Sequence, residues 1–554
     1  MKQRTMTAVS ARRLTVSWFT LLLLLLAPVA AQQNMARRSA DLGRRLQTAE
    51  KLEQAGRWRE AIDFYRRLLE EIPGDAALMD RLDRAKIHYD VTRRYRDYRF
   101  VREQVGLSAE QALQLYTEVL DKIDAYHVDR PRWDEFVRRG LRQTDVALEN
   151  RLFRRHHPVQ LDARQIAAYQ HAVKQHIDVK RVQRLTDARQ AAWTAAHLAR
   201  QHLGVAPQAV LTEFVAAAVR TLDRYSAFLT PGQLDEVFSQ IEGNFVGIGI
   251  ELKGHADGLE IIDVIEDGPA GQAGLKPGDV ITSIDGHRLA GETVDTAADR
   301  LRGEEGSRLR LTARAKQAGA PERRYELVRR RVEVPSVTGV RMVDAARGTG
   351  YLRIISFQKS TPREIDEALW RLHRQGMRSL VIDVRGNPGG LLTAAVELAD
   401  KFLTEGTIVT THGRSRQEDF TYTAHYAGTW QLPLVVLVDR NSASASEIFA
   451  AAIADHHRGT VVGEKSYGKG SVQGIFPLRA AQCGLRLTTA RFYSPTGRAI
   501  SHQGVTPDVI VREVAKPQVG GTAARRVGDT DPVLTAALAA LRPHAAPRTA
   551  ASGR

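Results

Sequence analysis

The sequence predicts a multidomain α/β protein with an all-α N-terminal region, a small α+β module and an α/β core. Three observations predict it. Residues 40–235 carry an almost unbroken helical pattern, rich in Ala, Arg, Leu, Glu and Gln. Around Gly243 the texture changes to short strand-like runs parted by glycine turns. From Val334 strand and helix patterns alternate, as in a layered α/β structure. At 554 residues the chain is too long for one ordinary core, and its 43% apolar content supports several globular ones.

The first element is a segment at 1–31 with the pattern of an export signal. Lys2, Arg4, Arg12 and Arg13 form a basic start, and Leu14 to Ala27 is apolar with a leucine run from Leu21 to Leu26. Val29 and Ala31 are small enough for positions −3 and −1 of a cleavage site. The apolar stretch is shorter than the ~20 residues a spanning helix wants. The expected location is therefore the periplasm. Left uncleaved, the segment would hold the chain on the outer face of the cytoplasmic membrane. Arg12-Arg13 hints at twin-arginine export, but the leucine-rich stretch favours the general secretory route.

Residues 32–130 are expected to be helical. Ala61, Tyr65, Leu68 and Pro73 fall at the spacing of the second helix of a tetratricopeptide unit. No convincing second copy follows, so an ordinary helical hairpin explains the spacing equally well. Protein partners for these helices are an expectation only. A further helical part covers 131–240.

The α+β module spans 241–332. Asn244 to Leu252 alternates, Leu259 to Ile265 and Val280 to Ile284 read as strands, and Asp285-Gly286 is a hairpin turn. Thr293 to Leu301 is helical and Arg308 to Ala313 is again a strand. The core, 333–515, runs through a strand Gly350 to Ile355, a helix Pro362 to Gln375, a strand Ser379 to Val384 and a helix Leu391 to Leu403. A strand Leu432 to Val438, a serine-rich turn, a helix Ile448 to His457 and a strand Thr460 to Val462 follow. Residues 516–554 are rich in Ala, Arg, Gly and Pro and read as a mobile tail, with a helical pattern only over Asp531 to Leu541.

Net charge is +16, carried mostly by arginines spread along helices beside glutamates. That is the pattern of solvated helix faces, and no nucleic-acid-binding signature accompanies it. Cys483 is the single cysteine, which excludes an intrachain disulfide and a cysteine metal cluster.

Three places carry chemistry. Asp383 to Gly390 reads as a strand running into a Pro-Gly-Gly turn at a helix start. Two glycines there expose backbone N–H groups suited to an anion or the oxyanion of a tetrahedral intermediate. The plainer reading is a strand-to-helix turn. Ser442 to Glu447 reads Ser-Ala-Ser-Ala-Ser-Glu at the next helix start. Ser444 and Glu447 are spaced as a capping box, and Ser442 and Ser446 could also cap. Small residues on both sides also leave the turn open to a substrate. Lys469 lies between Gly468 and Gly470. Gly463 to Lys469 fits the start of a phosphate loop, but Gly470 stands where Ser or Thr would hold magnesium, which excludes a nucleotide site. Burial lowers a lysine pKa, and a neutral amine can take a serine proton. In the α+β module, Phe245-Val246-Gly247-Ile248 reads as a loop that can turn consecutive N–H groups toward a peptide's terminal carboxylate.

Taken in order, these motifs resemble the carboxyl-terminal processing proteases, or tail-specific proteases. Gly247 to Asp279, above all Ala270-Gly271-Gln272-Ala273-Gly274-Leu275-Lys276-Pro277-Gly278-Asp279, resembles a bacterial PDZ domain. Asp383 to Gly390, Ser442 to Ile448, Val462 to Gln473, Thr488 to Tyr493 and Gly504 to Asp508 are similar to the family's core blocks, and Leu222 to Ser226 to the block before the PDZ domain. The resemblance covers about 205–513. It implies a crotonase-like α/β protease core with an inserted PDZ domain. It implies Ser444 as nucleophile, Lys469 as general base, Gln473 as the residue orienting the lysine, and the N–H groups of Ala445 and of Gly389 or Gly390, with Gly390 favoured, as the oxyanion hole. The 25-residue separation of Ser444 and Lys469 agrees with the family spacing. Asn441 departs from a position often glycine, and Asn accepts positive φ readily.

The resemblance thus implies an exported serine endopeptidase acting on proteins or peptides with apolar C-termini, with no metal or other cofactor. The rival from another class is a non-catalytic peptide-binding scaffold built on the PDZ groove and the N-terminal helices.

Overall fold

The computed structural model describes residues 42–157, 162–292, 294–301, 303–317, 320–425, 428–512 and 531–541. The expected export signal, and residues 516–530 and 542–554 of the expected tail, lie outside them. The chain divides into two compact units. One holds the described residues up to Arg96 together with 142–157, and the other holds 97–141 and the described residues from 162 on. This division falls at Arg96, within the segment expected at 32–130, and 142–157 belongs to the first unit. Helical periodicity reports which face of a helix is buried, not which neighbour buries it.

In the first unit a helix at 42–54 precedes the helices Trp58–Glu71 and Ala76–Arg96. Ala61, Tyr65 and Leu68 recur at helical spacing and are fully buried, against Ala49, Leu78, Leu82 and Ala85. Pro73 lies in the turn that follows, where a helix could not continue. The Tyr65 hydroxyl donates to Glu53 at 2.8 Å, and the Trp58 ring stacks on His88 at 4.2 Å.

The second unit begins with a helical part. Its helix Pro207–Arg220 is buried on all sides from Ala209 to Val219. The strand Ala227–Leu229 then pairs with Gly484–Tyr493 deep in the core. The chain before the α+β module is thus part of the core, and the module is an insertion. Its entry and exit, Asn244–Gly247 and Arg330–Glu333, form an antiparallel ribbon. Within it, Ile250–His255 is an edge strand of a sheet continued by Gly258–Val264, Val280–Ile284, Arg308–Arg314 and Glu322–Val328. The helix Val294–Leu301 buries Ala297 and Leu301 on this module's own core.

The core carries a six-stranded sheet in the order Val337–Asp344, Thr349–Ile354, Ser379–Asp383, Leu434–Val438, Thr460–Gly463, Val509–Ile510. All neighbours but the first pair run parallel. Such strands are buried on both faces, and here the faces alternate residue by residue. Leu380, Ile382, Leu434, Val436, Val438 and Val461 meet the helices Thr361–Arg374, Leu392–Asp400 and Ala445–Asp455. Val381, Val435, Leu437 and Val462 point the other way, and the helix Pro532–Ala540 covers them with Val533 and Ala537. Residues 531–541, expected within a mobile tail, are therefore docked. The Ala-rich composition hid an apolar face built on Val533 and Ala537, with Leu534, Ala536, Ala540 and Leu541 packed beside them.

A second sheet joins the same core. It orders Ala227–Leu229, Gly484–Tyr493, Thr407–Gly413 and Phe420–Thr423, with Ser471–Pro477 on the other flank of Gly484–Tyr493. Ile408, Val409 and Phe492 bring its inner face onto the helices. Phe449 sits fully buried at the centre of this packing. Phe449→Ala is expected to cost about 3–5 kcal/mol, read as a lower urea midpoint for the core transition with an unchanged denaturant slope.

Candidate active site

Three turns leave the carboxyl ends of three neighbouring parallel strands, Ser379–Asp383, Leu434–Val438 and Thr460–Gly463. They carry the Gly-Gly pair, the serines and the lysine. The serine turn enters the helix Ala445–Asp455 with Ser444 at its N-cap. Ser444 takes φ 57 and ψ −115, a conformation costing a non-glycine residue of order 1–3 kcal/mol. Asn441, expected to need tolerance of positive φ, does not adopt it. The strain falls on the serine itself.

Hydrogen bonding separates the three serines. Ser442 Oγ donates to Val384 O at 2.8 Å, and Ser446 Oγ to Asn387 O at 3.1 Å; both residues are fully buried. These two hydroxyls build the turn. Ser444 is only half-buried, and its backbone N–H donates to Glu447 at 2.8 Å.

Glu447 was read from sequence only as a cap, and it does far more. Fully buried, its carboxylate accepts from Ser466 Oγ at 2.5 Å, Gly468 N–H at 2.6 Å and Lys469 N–H at 2.8 Å, besides Ser444 N–H. One side chain thereby sets the lysine loop against the serine turn. The Ser-x-x-Glu spacing was visible, but nothing in it announces the partners 19 to 22 residues later.

Asn387 does the same for the Gly-Gly turn. Its Nδ2 donates to Ile354 O at 3.0 Å, its Oδ1 accepts from Gly389 N–H at 2.8 Å, and its carbonyl accepts from Ala443 N–H at 3.0 Å. Gly389 N–H is thus engaged. Gly390 N–H and Ala445 N–H donate to no other described residue. The turns meet so closely that a Cβ on Gly389 would lie 2.7 Å from Ser444 Cβ, and one on Gly390 2.0 Å from Phe357 O. With φ of 104 and 143, both positions require glycine.

Lys469 is largely shielded from solvent. Burial pushes its amine below the ordinary lysine value; Arg486 repulsion adds to this, Glu447 opposes it, and Arg224 adds a little more. Its Nζ forms no hydrogen bond with a described residue and lies 5.1 Å from the Tyr225 ring centroid. Gln473 is not on the lysine. Its Nε2 donates to Ser471 O at 3.0 Å and Ser471 Oγ at 2.8 Å. The expected orienting role is therefore not expressed in this conformation, because the strand Ser471–Pro477 offers the amide nearer acceptors.

Sequence reading assigned no role to Arg224, Tyr225 and Arg486, which surround the amine. The Arg224–Tyr225 segment is pinned by Asp223, whose carboxylate accepts from Tyr225 N–H, Ser226 N–H, Ser226 Oγ and His127 Nε2. These bonds hold Asp223 well below the usual carboxylate range against the opposing effect of burial.

In the α+β module, Phe245, Val246 and Gly247 lie in the entry ribbon rather than in a free loop, paired with Val332, Arg331 and Arg330. Ile248 leaves the ladder and is buried, and Gly249 turns with φ 78 into the edge strand. Ile248, Ala297 and Leu301 share one apolar cluster, with Ile250 and Leu252 packed against it.

Comparison with known proteins agrees with this arrangement. Residues 348–511 match the model of peptidase family S41, and residues 260–314 a PDZ domain model. A carboxy-terminal-processing protease of Bartonella bacilliformis is 34% identical over 311 residues, covering 55% of this chain and 70% of the relative. A protein of Staphylococcus aureus named "Probable CtpA-like serine protease" is 31% identical over 315 residues, covering 56% of this chain and 62% of the relative. Among solved structures, a photosystem II D1 C-terminal processing protease aligns at 26% identity with a TM-score of 0.37, covering 72% of this chain and 93% of that one. At that score the alignment adds nothing to the sequence match. The chain belongs to peptidase family S41, with the carboxy-terminal-processing proteases, and is a serine peptidase with an inserted PDZ domain.

Proposed function

We propose that the protein is an exported endopeptidase that engages protein C-termini through its PDZ domain and cleaves with Ser444 and Lys469. The observation that carries this reading is the Glu447 carboxylate, which ties the N–H of Ser444 to the N–H of Lys469 at 2.8 Å each. Ser444 Oγ adds to a peptide carbonyl and its proton passes to Lys469 Nζ. The oxyanion takes the N–H groups of Gly390 and Ala445. Collapse expels the amine, which recovers the proton from lysine and leaves an ester on Ser444. Water then attacks the ester and gives its proton to Lys469 Nζ; the C–Oγ bond breaks, Ser444 Oγ takes that proton back from the lysine, and the new carboxyl terminus departs. Lysine must reach the hydroxyl for this, so its amine leaves the Tyr225 ring when substrate binds.

The C-terminal end of the substrate adds beside the edge strand Ile250–His255, its last side chain against the apolar cluster of Ile248, Ala297 and Leu301. The basic start and leucine run of residues 1–31 support action outside the cytoplasm.

Three outcomes test the reading. Ser444→Ala should abolish cleavage of a peptide with an apolar C-terminus and its acylation by a serine-directed probe. Ser442→Ala and Ser446→Ala should keep measurable turnover. Cleavage by Ser444→Ala at the wild-type rate would return the scaffold reading.

The second outcome is the pH profile. Only the neutral amine accepts a proton, so activity is lost as pH falls through the lowered lysine pKa. Arg486→Gln removes a neighbouring positive charge, weakens that lowering and should move the rising limb to higher pH. A limb that stays put or moves to lower pH contradicts the base assignment.

The third is the substrate terminus. Amidating the terminal carboxylate should raise KM about tenfold, the equivalent of one charge-assisted hydrogen bond, with kcat nearly unchanged. Equal KM values for acid and amide would remove the PDZ groove from recognition.

A further inference from the structure

Asp531 stands at the N-cap of the helix Pro532–Ala540, where its Oδ1 accepts from Val533 N–H and Leu534 N–H at 3.1 Å each. The same carboxylate receives Arg385 as a fork, Nη1 to Oδ1 at 3.1 Å and Nη2 to Oδ2 at 2.8 Å. On its other side Arg385 binds Asp383, through Nη2 at 2.6 Å and Nε at 3.0 and 3.1 Å. Asp383 in turn accepts from the Tyr351 hydroxyl at 2.8 Å. Side-chain exposure is 13% for Arg385, 13% for Asp531 and 1% for Asp383, so little water competes for these bonds.

Arg385 is the root of the turn that ends at Gly390. Past it the turn is held by Gly386 N–H on Asp439 and by Asn387, and it packs on the serine turn so closely that a Cβ on Gly389 would lie 2.7 Å from Ser444 Cβ. Asp383 belongs to the rigid sheet and grips the guanidinium from the strand side. Asp531 grips it from a helix that is otherwise joined to this face by Val533 and Ala537. A planar guanidinium held by carboxylates on two sides cannot swing about either one.

We propose that Asp531 is a positioning residue for the oxyanion-binding turn. Through Arg385, the helix Pro532–Ala540 acts as a strap that keeps Gly390 N–H aligned with Ala445 N–H. This rests on the serine peptidase reading of Ser444. It concerns alignment during the reaction and not substrate capture.

The test uses the full chain with Asp531→Ser and Asp531→Asn. Both residues still cap a helix, so the helix keeps its start while the ionic fork to Arg385 is lost. Kinetics on a peptide with an apolar C-terminus are paired with binding of the matching peptide aldehyde. The aldehyde carbonyl takes Ser444 Oγ, and its oxygen occupies the oxyanion position. Losing one oxyanion donor outright costs about 100- to 1,000-fold in kcat, so loosening one should cost about tenfold. The expected result is that kcat and aldehyde affinity fall together by about that factor, KM stays, and Asp531→Glu recovers part of the loss. Unchanged kcat and aldehyde affinity overturn the proposal, even with a lower melting temperature, because that pattern belongs to a purely structural cap. A rise in KM with kcat kept overturns it as well. Failure of the underlying reading looks different: there Ser444→Ala itself would remain active.

Discussion

The Glu447 carboxylate, fully buried at the third position of the helix Ala445–Asp455, gathers donors from three places in the sequence: Ser444, Ser466 and the Gly468–Lys469 pair. A buried carboxyl group without hydrogen-bond partners would cost several kcal/mol. The chain meets that demand with the loop that also carries the amine, so satisfying the carboxylate and positioning the amine are one event. The same bond to Ser444 N–H stabilises the serine's φ of 57, which the turn alone would not hold. Local strain at Ser444 is thus balanced by a buried hydrogen-bond hub.

Parallel strand order makes this possible. Strands Ser379–Asp383, Leu434–Val438 and Thr460–Gly463 are neighbours and run the same way, so all three release their chains at one edge of the sheet. A ligand site at the carboxyl ends of parallel strands is the common solution in open α/β sheets. Here the first turn brings N–H groups, the second a hydroxyl and the third an amine. Asn387 joins the first two and Glu447 the last two, so each adjacent pair has its own buried polar bolt. The two-sided burial of these strands extends the argument beyond the site. Helices between the strands cover one face, and the helix Pro532–Ala540, far along the chain, contributes cover on the other.

Much of this was legible in the sequence, and what was missed has physical causes. The strands Ser379–Asp383 and Leu434–Val438 announced themselves as short apolar runs, and the turns between them as Gly, Asn, Pro and Ser clusters. Spacing implied Ser444 over its two neighbours only through family resemblance; the hydrogen bonds of Ser442 and Ser446 now supply an independent reason. Gly389 N–H is taken up by Asn387, which leaves Gly390 N–H for the proposed oxyanion hole. The roles of Glu447, Arg486 and Asp531 were not legible, because each acts through a partner distant in sequence, and no local pattern encodes a long-range donor. The helix Pro532–Ala540 was legible as a helix, but its docking was not, because two fully buried residues leave too faint a period in an alanine background. The loop Phe245–Ile248 was misread because a ribbon needs its second strand, Arg330–Glu333, to be recognised. Gln473 was carried over from resemblance, and resemblance conveys identity of residues rather than the rotamer they occupy.

That rotamer matters for the lysine. Burial and the charges of Arg486 and Arg224 favour a neutral amine, while Glu447 favours the ammonium, as does the face of the Tyr225 ring. The nitrogen lies over the ring here, and the proposed reaction needs it on Ser444 Oγ. A cation over an aromatic ring is worth about 0.5–2 kcal/mol depending on exposure, within the range that a bound peptide can repay. Moving the amine from ring to hydroxyl therefore needs no change in the sheet or in the Glu447 hub, because that hub holds the backbone of Lys469 and leaves its side chain to turn. In the proposed reaction the scaffold fixes where the lysine begins, and the substrate decides where its nitrogen ends.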